Sequence, residues 1–238
     1  MKGPAGIRLE SVTKVYATPT EQVTAVADIT LDLEPGSSLA ITGSSGSGKS
    51  TLLGLMGTLE APTGGRVIVG DQDISLLSER QRAALRRYEF GFVFQRDNLL
   101  PFLTGVENVV LQLELQGAQD GIERCLETLA RLGLGDEVHR VPDQLSGGQR
   151  QRVAVASAIA RRPRVILADE PTGSLDTENS AAVLDSLLNL HREAGTTLVV
   201  ATHDAEVARR MDRAFILRDG RLEEGPWPHP QEAGRSGV

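Results

Sequence analysis

The sequence predicts an α/β fold with a doubly wound core, preceded by a small antiparallel sheet and interrupted by a helical insertion. Apolar runs of buried-strand type at 39–42, 164–169 and 196–201 alternate with stretches of helical spacing, the pattern of a parallel sheet covered by helices. The first of these runs feeds a glycine-rich loop and then a helical stretch. Between 96 and 145 the texture changes to helices broken by glycine, which places an inserted helical subdomain at about 96–157.

In chain order, Ile7, Leu9 and Val12 open one extended segment, and Val23, Val26, Ile29, Leu31 and Leu33 form a second that ends at Glu34-Pro35-Gly36. Their near-alternation predicts strands of the small antiparallel sheet. A core strand at 39–42 precedes a helix expected over 50–59, and a further strand is expected at 66–69. A charged helix with Leu85 turned inward follows at 78–88, then a strand at 91–94 that ends at Gln95. Helices around 105–115 and 122–132 are punctuated by Gly117, Gly133 and Gly135. Val153, Ala156, Ile159 and Ala160 recur at helical spacing, as do Val183, Leu184, Leu187 and Leu188 within 176–192. Asp219-Gly220 between two short strand-like runs is a hairpin signal. The Pro- and Gly-rich stretch 225–238 reads as a flexible tail outside the folded unit 1–224.

Composition narrows the function. With 238 residues and 40% apolar side chains, the chain can bury one substantial core and a smaller satellite. Its net charge of −7 implies no general attraction to nucleic acid or anionic lipid. The single cysteine, Cys125, can form neither an internal disulfide nor a metal cluster, and its apolar helical setting points to a structural role. No apolar run approaches the roughly 18 residues that span a bilayer, and no secretory core follows the start. The protein is therefore expected in the cytoplasm, reaching a membrane only through a partner.

Gly43-Ser44-Ser45-Gly46-Ser47-Gly48-Lys49-Ser50 matches the G-x-x-x-x-G-K-[ST] phosphate loop, in the strand-to-helix context that the motif needs. Glycine permits the sharp curvature, and the following helix directs its amino end at an anion. Lys49 can neutralise charge on the β- and γ-phosphates, Ser50 can offer its hydroxyl to Mg²⁺, and Thr51 can reach an adjacent phosphate oxygen.

Asp169 and Glu170 end a buried-type strand, where Asp169 can hold Mg²⁺ through water and Glu170 can orient or deprotonate an attacking water. Taken alone the pair equally suits a solvated strand end; the phosphate loop favours function. Gln95 can bridge Mg²⁺ or water, or be a surface glutamine. His203 follows a strand, where it can contact a γ-phosphate or be structural. Tyr16 can stack on a nucleobase or cover the edge of the small sheet.

Ser146, Gly147, Gly148 and Gln149 form a second glycine cluster at a helix start, and hence a second anion-binding terminus. Both clusters can serve one ligand within one chain, or each can complete the other's site in a head-to-tail dimer. Spacing does not decide between them.

The combination GSSGSGKST, LSGGQ and VILADE resembles an ATP-binding cassette ATPase, over nearly all of the stretch from Ile7 to Glu224. The resemblance implies a P-loop NTPase with a RecA-like core, a small antiparallel β subdomain and an inserted α-helical subdomain. It implies ATP and Mg²⁺ as ligands, a homodimer or pair of cassette subunits around two ATP molecules, an integral membrane permease as partner and a seat on the inner face of the membrane. By the same resemblance Tyr16 is the adenine-stacking aromatic, Gly43 to Thr51 the Walker A segment and Gln95 the Q-loop glutamine. Ser146 to Gln149 would complete the opposite subunit's site. Asp169 would be the Walker B aspartate, Glu170 the catalytic glutamate and His203 the switch histidine, with Ser174-Leu175-Asp176 as the D-loop.

The run Phe92-Val93-Phe94-Gln95-Arg96-Asp97-Asn98-Leu99-Leu100-Pro101, with Leu103-Thr104 and Glu107-Asn108-Val109, resembles the lipoprotein-release and macrolide-export branch. A related branch acts in cell division without moving a solute. Leu99, Leu100 and Phe102 either pack as core and loop or line a groove for a permease helix. Ser157 stands where this group commonly carries arginine, so an interhelical or intersubunit ion pair is expected to be missing.

Overall fold

The first two strands keep their alternation only through bulges. In the computed structural model, which describes residues 3–18, 21–94, 98–117, 121–173, 175 and 177–225, β1 (Ile7–Ala17) pairs antiparallel with β2 (Gln22–Leu33). Ser11 and Asp28 adopt left-handed φ values of 46° and 52°, and the register shifts beside each of them. One extra residue per bulge brings Leu9 with Val12, and Val26 with Ile29, onto a single buried face at a spacing of three. The displaced amides of Ser11 and Asp28 donate instead to the hydroxyls of Thr30 and Thr13, at 3.1 Å each. Val23, at the exposed start of β2, is 47% exposed.

A second, six-stranded sheet forms the centre. The elements that follow β2 are β3 (Ser38–Thr42), α1 (Lys49–Met56), β4 (Gly64–Val69), β5 (Gln72–Asp73), α2 (Glu79–Glu89), β6 (Phe90–Val93), α3 (Gly105–Glu114) and α4 (Gly121–Arg131). After them come α5 (Gly147–Ile159), β7 (Val165–Asp169), α6 (Thr177–Ala194), β8 (Thr197–Thr202), α7 (Ala205–Arg209), β9 (Arg213–Arg218) and β10 (Arg221–Glu224). The small sheet runs β2-β1-β4-β5 and the large one β10-β9-β3-β8-β7-β6. Within the large sheet, β3 to β9 pair in parallel, and β10 closes an antiparallel hairpin across Asp219 and Gly220, both at positive φ.

Alternation along the central strands divides the core. Leu39, Ile41, Leu167 and Val199 pack with α1 and the small sheet, whereas Ala40, Ile166, Ala168 and Val200 pack towards the helices α3 to α6. Helices on one face and a second sheet on the other give a RecA-like α/β core that carries an antiparallel sheet and an inserted α-helical subdomain. Val109, Leu113, Cys125, Leu129 and Val153 tie that subdomain together. The Cys125 thiol donates to Val106 O at 3.6 Å, and burial pushes its pKa up to about 11, which fits a structural cysteine.

Helix α1 stops at Met56 rather than continuing to Leu59. The Gly57 amide donates to Leu53 O, Thr58 takes a left-handed φ of 61°, and the amides of Leu59 and Glu60 fold back onto Gly54 O at 2.8 and 3.2 Å. This reversal carries Glu60 back along the helix. Among the described residues, no helix is long and apolar enough to cross a membrane. Residues 226–238 of the expected tail lie outside those described.

Candidate nucleotide site

Register brings the site together. Thr42 pairs with Thr202, and Asp169 with Ala201, so β3, β8 and β7 end level with one another. The glycine loop, His203 and Glu170 leave from those three ends, at the carboxyl edge of a parallel sheet where α/β folds place ligands.

At Gly43 and Gly48 the loop is shaped by contacts that leave no room for a side chain. A Cβ on Gly43, at φ 151°, would stand 2.4 Å from Leu217 O and 2.8 Å from Ser47 Oγ. One on Gly48, the left-handed residue before α1, would stand 2.2 Å from Ala25 O. Ser44, Ser45 and Gly46 are exposed at the tip, while Ser47 is buried with its hydroxyl lacking a hydrogen-bond partner. Lys49 is also buried, and its ammonium donates to Gly43 O at 2.8 Å and Ser44 O at 3.0 Å. A buried orphan hydroxyl, an inward ammonium and a helix amino end free of acidic side chains fit phosphate oxygens. Ser50 is exposed at the start of α1 and Thr51 is half-buried beside it.

Glu170 is held from several sides. Its φ of 45° is left-handed, its amide donates to Ala201 O at 2.8 Å, and its carboxylate is only 13% exposed. One carboxylate oxygen lies 3.9 Å from Lys49 Nζ and the other 2.9 Å from His203 Nδ1. An ionised carboxylate only accepts, so Nδ1–H is the donor, and a neutral ring then presents an acceptor at Nε2. His203 is 71% exposed, and contact between Nε2 and a phosphate oxygen requires a proton there. Strained backbone at a pinned carboxylate is a pattern found at reactive sites. Asp169, one residue earlier, is half-buried at the strand end.

Tyr16 reaches the same helix from β1. Its hydroxyl donates to Glu60, at 2.7 and 2.6 Å from the two oxygens, and lies 3.4 Å from Thr51 Oγ1. Burial, then the Glu60 hydrogen bond, raises its pKa above the usual phenol value. Gln95, Ser174 and Asp176 lie outside the described residues, whereas Leu175 packs against the core.

The second glycine cluster forms a local helix cap. Ser146 caps α5, accepting from the Gln149 amide at 3.2 Å, while Gln149 Oε1 accepts from the Ser146 amide at 2.8 Å. Ser146 and Gly147 are exposed and Gly148 is buried. The structure thus joins Lys49, Glu170 and His203 to one another and Tyr16 to Thr51. It gives Ser146 and Gln149 bonds to each other.

Three residues of the wider network escaped sequence reading. Gln151 on α5 is buried, and its amide donates to Phe94 O at 3.3 Å and Pro171 O at 3.0 Å, tying the ends of β6 and β7 to the helix. Its signal was a polar side chain in the apolar stripe of Val155 and Ala158. Lys14 and Glu60 contact Tyr16 or its hydroxyl; Lys14 shares its strand at a spacing of two, and Glu60, in the turn after α1, carried no signal.

A 380 Å³ concavity runs between β6, α3 and α5, walled by Phe92, Phe94, Leu99 and Leu100 and floored by Ala154 and Ser157. Phe102, for which packing in a core or loop and lining a groove were the alternatives, is not among the lining residues and is 73% exposed. Ser157 turns its hydroxyl to Val153 O at 3.0 Å, within its own helix.

A parallel sheet that ends in a phosphate loop, an acidic pair and an imidazole defines a nucleotide-binding cassette of the phosphate-loop class. The family model described as "ABC transporter" matches residues 26–173, more than half of the chain, and the chain belongs to that family. It is 42% identical over 226 residues to the lipoprotein-releasing system ATP-binding protein LolD of Shewanella denitrificans, covering 93% of this chain and 97% of that one. It is 46% identical over 221 residues to the macrolide export ATP-binding/permease protein MacB of Hyphomonas neptunium. That match covers 92% of this chain and 34% of MacB, so the chain spans about a third of such relatives. Among solved structures, the dimeric post-hydrolysis state of the ATP-binding cassette MJ0796 bound to ADP and phosphate is similar, with a TM-score of 0.87 and 41% identity. It covers 92% of this chain and 97% of that one.

Proposed function

We propose that the chain is the ATP-hydrolysing subunit of a membrane export or extrusion system, with the cassette running over 1–224. The observation that carries this reading is Glu170, pinned at a strand end between Lys49 and His203 at the mouth of a phosphate loop. The loop amides and Lys49 bind the phosphates of ATP, and Ser47 offers its unpartnered hydroxyl to them. Ser50 and Asp169, with Gln95, are the residues that would hold Mg²⁺, which when bound neutralises charge developing on the phosphates.

Glu170 accepts the proton of the attacking water, and His203 fixes the carboxylate through Nδ1. Tyr16 stacks on the base. Two copies close head to tail, so that Ser146 to Gln149 of one seal the nucleotide held by the other. The dimeric, ADP- and phosphate-bound MJ0796 cassette supports this closure. The LolD and MacB likenesses, together with the concavity, whose lining mixes apolar side chains with Arg86, Arg87 and Arg161, support a permease helix seated against Leu99 and Leu100 and a position on the inner face of the membrane.

The test is phosphate release by the purified chain, alone and with the permease from the same system. Stimulation by the permease that disappears in Glu170→Gln is the expected result; turnover insensitive to both contradicts the reading.

A further inference from the structure

Lys14 and Tyr16, two residues apart on β1, meet the same carboxylate. Lys14 Nζ lies 3.0 Å from Glu60 Oε2, donates to Ala61 O at 2.9 Å, and stands 5.0 Å from the centroid of the Tyr16 ring. Glu60 in turn accepts from the Tyr16 hydroxyl. The turn that ends α1 sets Glu60 in place, since the Glu60 amide is bonded to Gly54 O. Lys14 and Glu60 side chains are 15% and 33% exposed, sheltered enough for the pair to hold its geometry.

Each contact fixes a different feature of the ring. Glu60 fixes the hydroxyl end and keeps it beside Thr51, in the first turn of α1 next to the phosphate loop. Lys14 covers one face with a cation, which is attracted by the ring quadrupole. A base can then stack only on the other face.

We infer that Lys14 and Glu60 are positioning residues for nucleobase recognition: they brace Tyr16 in one orientation, with one ring face closed and the other offered to a purine. The inference rests on Tyr16 being the base platform. It adds that the platform is held rigidly to the phosphate subsite through α1, so that base and phosphates are read as one unit. A free tyrosine would lose rotamer freedom on binding, and the brace removes that cost beforehand.

The experiment compares the affinities of ATP and inorganic tripolyphosphate for the full chain by titration calorimetry. Tripolyphosphate uses the phosphate loop without the base, and its binding also checks that each variant is folded. Tyr16→Ala is expected to lower the ATP-to-tripolyphosphate affinity ratio about tenfold, the scale of one lost base–aromatic stack. Glu60→Ala and Lys14→Met are each expected to lower it about threefold, the scale of a lost cation–π contact, while Lys14→Arg restores it. Tripolyphosphate affinity should stay within about twofold throughout, because the phosphate loop itself is untouched.

If Tyr16→Ala lowers the ratio but Glu60→Ala and Lys14→Met leave it unchanged, the brace is wrong and the platform stands. Equal weakening of both ligands in those two variants also overturns the brace. If Tyr16→Ala itself leaves the ratio unchanged, the reading of Tyr16 fails first.

Discussion

The two glycine clusters satisfy their polar groups in opposite ways. Around Lys49, groups from three strand ends converge: an ammonium on loop carbonyls, a carboxylate between ammonium and imidazole, and a buried hydroxyl left without a partner. Around Ser146, the capping bonds stay within four residues of sequence, and the cap is exposed. The first region is a tertiary construction that already joins the groups proposed to react. The second is a finished local cap, whose proposed part is to seal a nucleotide held by another copy.

That contrast is sharpest at Glu170. Glu170→Gln keeps the shape and removes the proton acceptor, so phosphate release should fall at least about a hundredfold while ATP affinity is kept. A fall of less than about threefold would remove Glu170 from the chemistry and erase the difference between the two regions.

Ser146→Arg probes the other side. Filling the exposed cap should lower turnover by about tenfold or more, yet leave ATP affinity of the isolated chain within about twofold, because the capping bonds of Ser146 are made with Gln149 on its own helix. Equal loss of single-chain affinity, measured by nucleotide titration, would mean that both clusters serve one pocket in one chain.

Gln151, on the helix that Ser146 caps, is bonded to the carbonyl of Pro171, the residue after Glu170. Gln151→Leu strands the carbonyls of Phe94 and Pro171 in a buried setting, and urea unfolding should show a loss of about 1–3 kcal/mol. Cys125 gives the smallest effect. With its pKa at about 11, roughly a thousandth of the thiol is ionised at pH 8, so a maleimide should label it in urea but hardly at all in the native chain.

What was legible in the sequence follows the same division. The phosphate loop, the acidic pair and the glycine caps are short-range patterns, and each was readable because backbone conformation and chemistry sit in the same few residues. The contacts of Tyr16 with Glu60 and of Gln151 with Phe94 join residues 44 and 57 positions apart, and no periodicity announces them. Bulges at Ser11 and Asp28 disguised two strands as imperfect alternation, and the glycine turn at Gly57 ended α1 a few residues before its apolar pattern did.

Head-to-tail closure is tested most directly by cross-linking. Two separately tagged chains, both carrying Glu170→Gln and Cys125→Ser, would bear Ser45→Cys in one and Ser146→Cys in the other, and be joined by a short bis-maleimide. With ATP present, the account predicts a covalent pair containing both tags and its disappearance without nucleotide. A single chain bearing both cysteines that links to itself, while the mixture gives no pair, would contradict it.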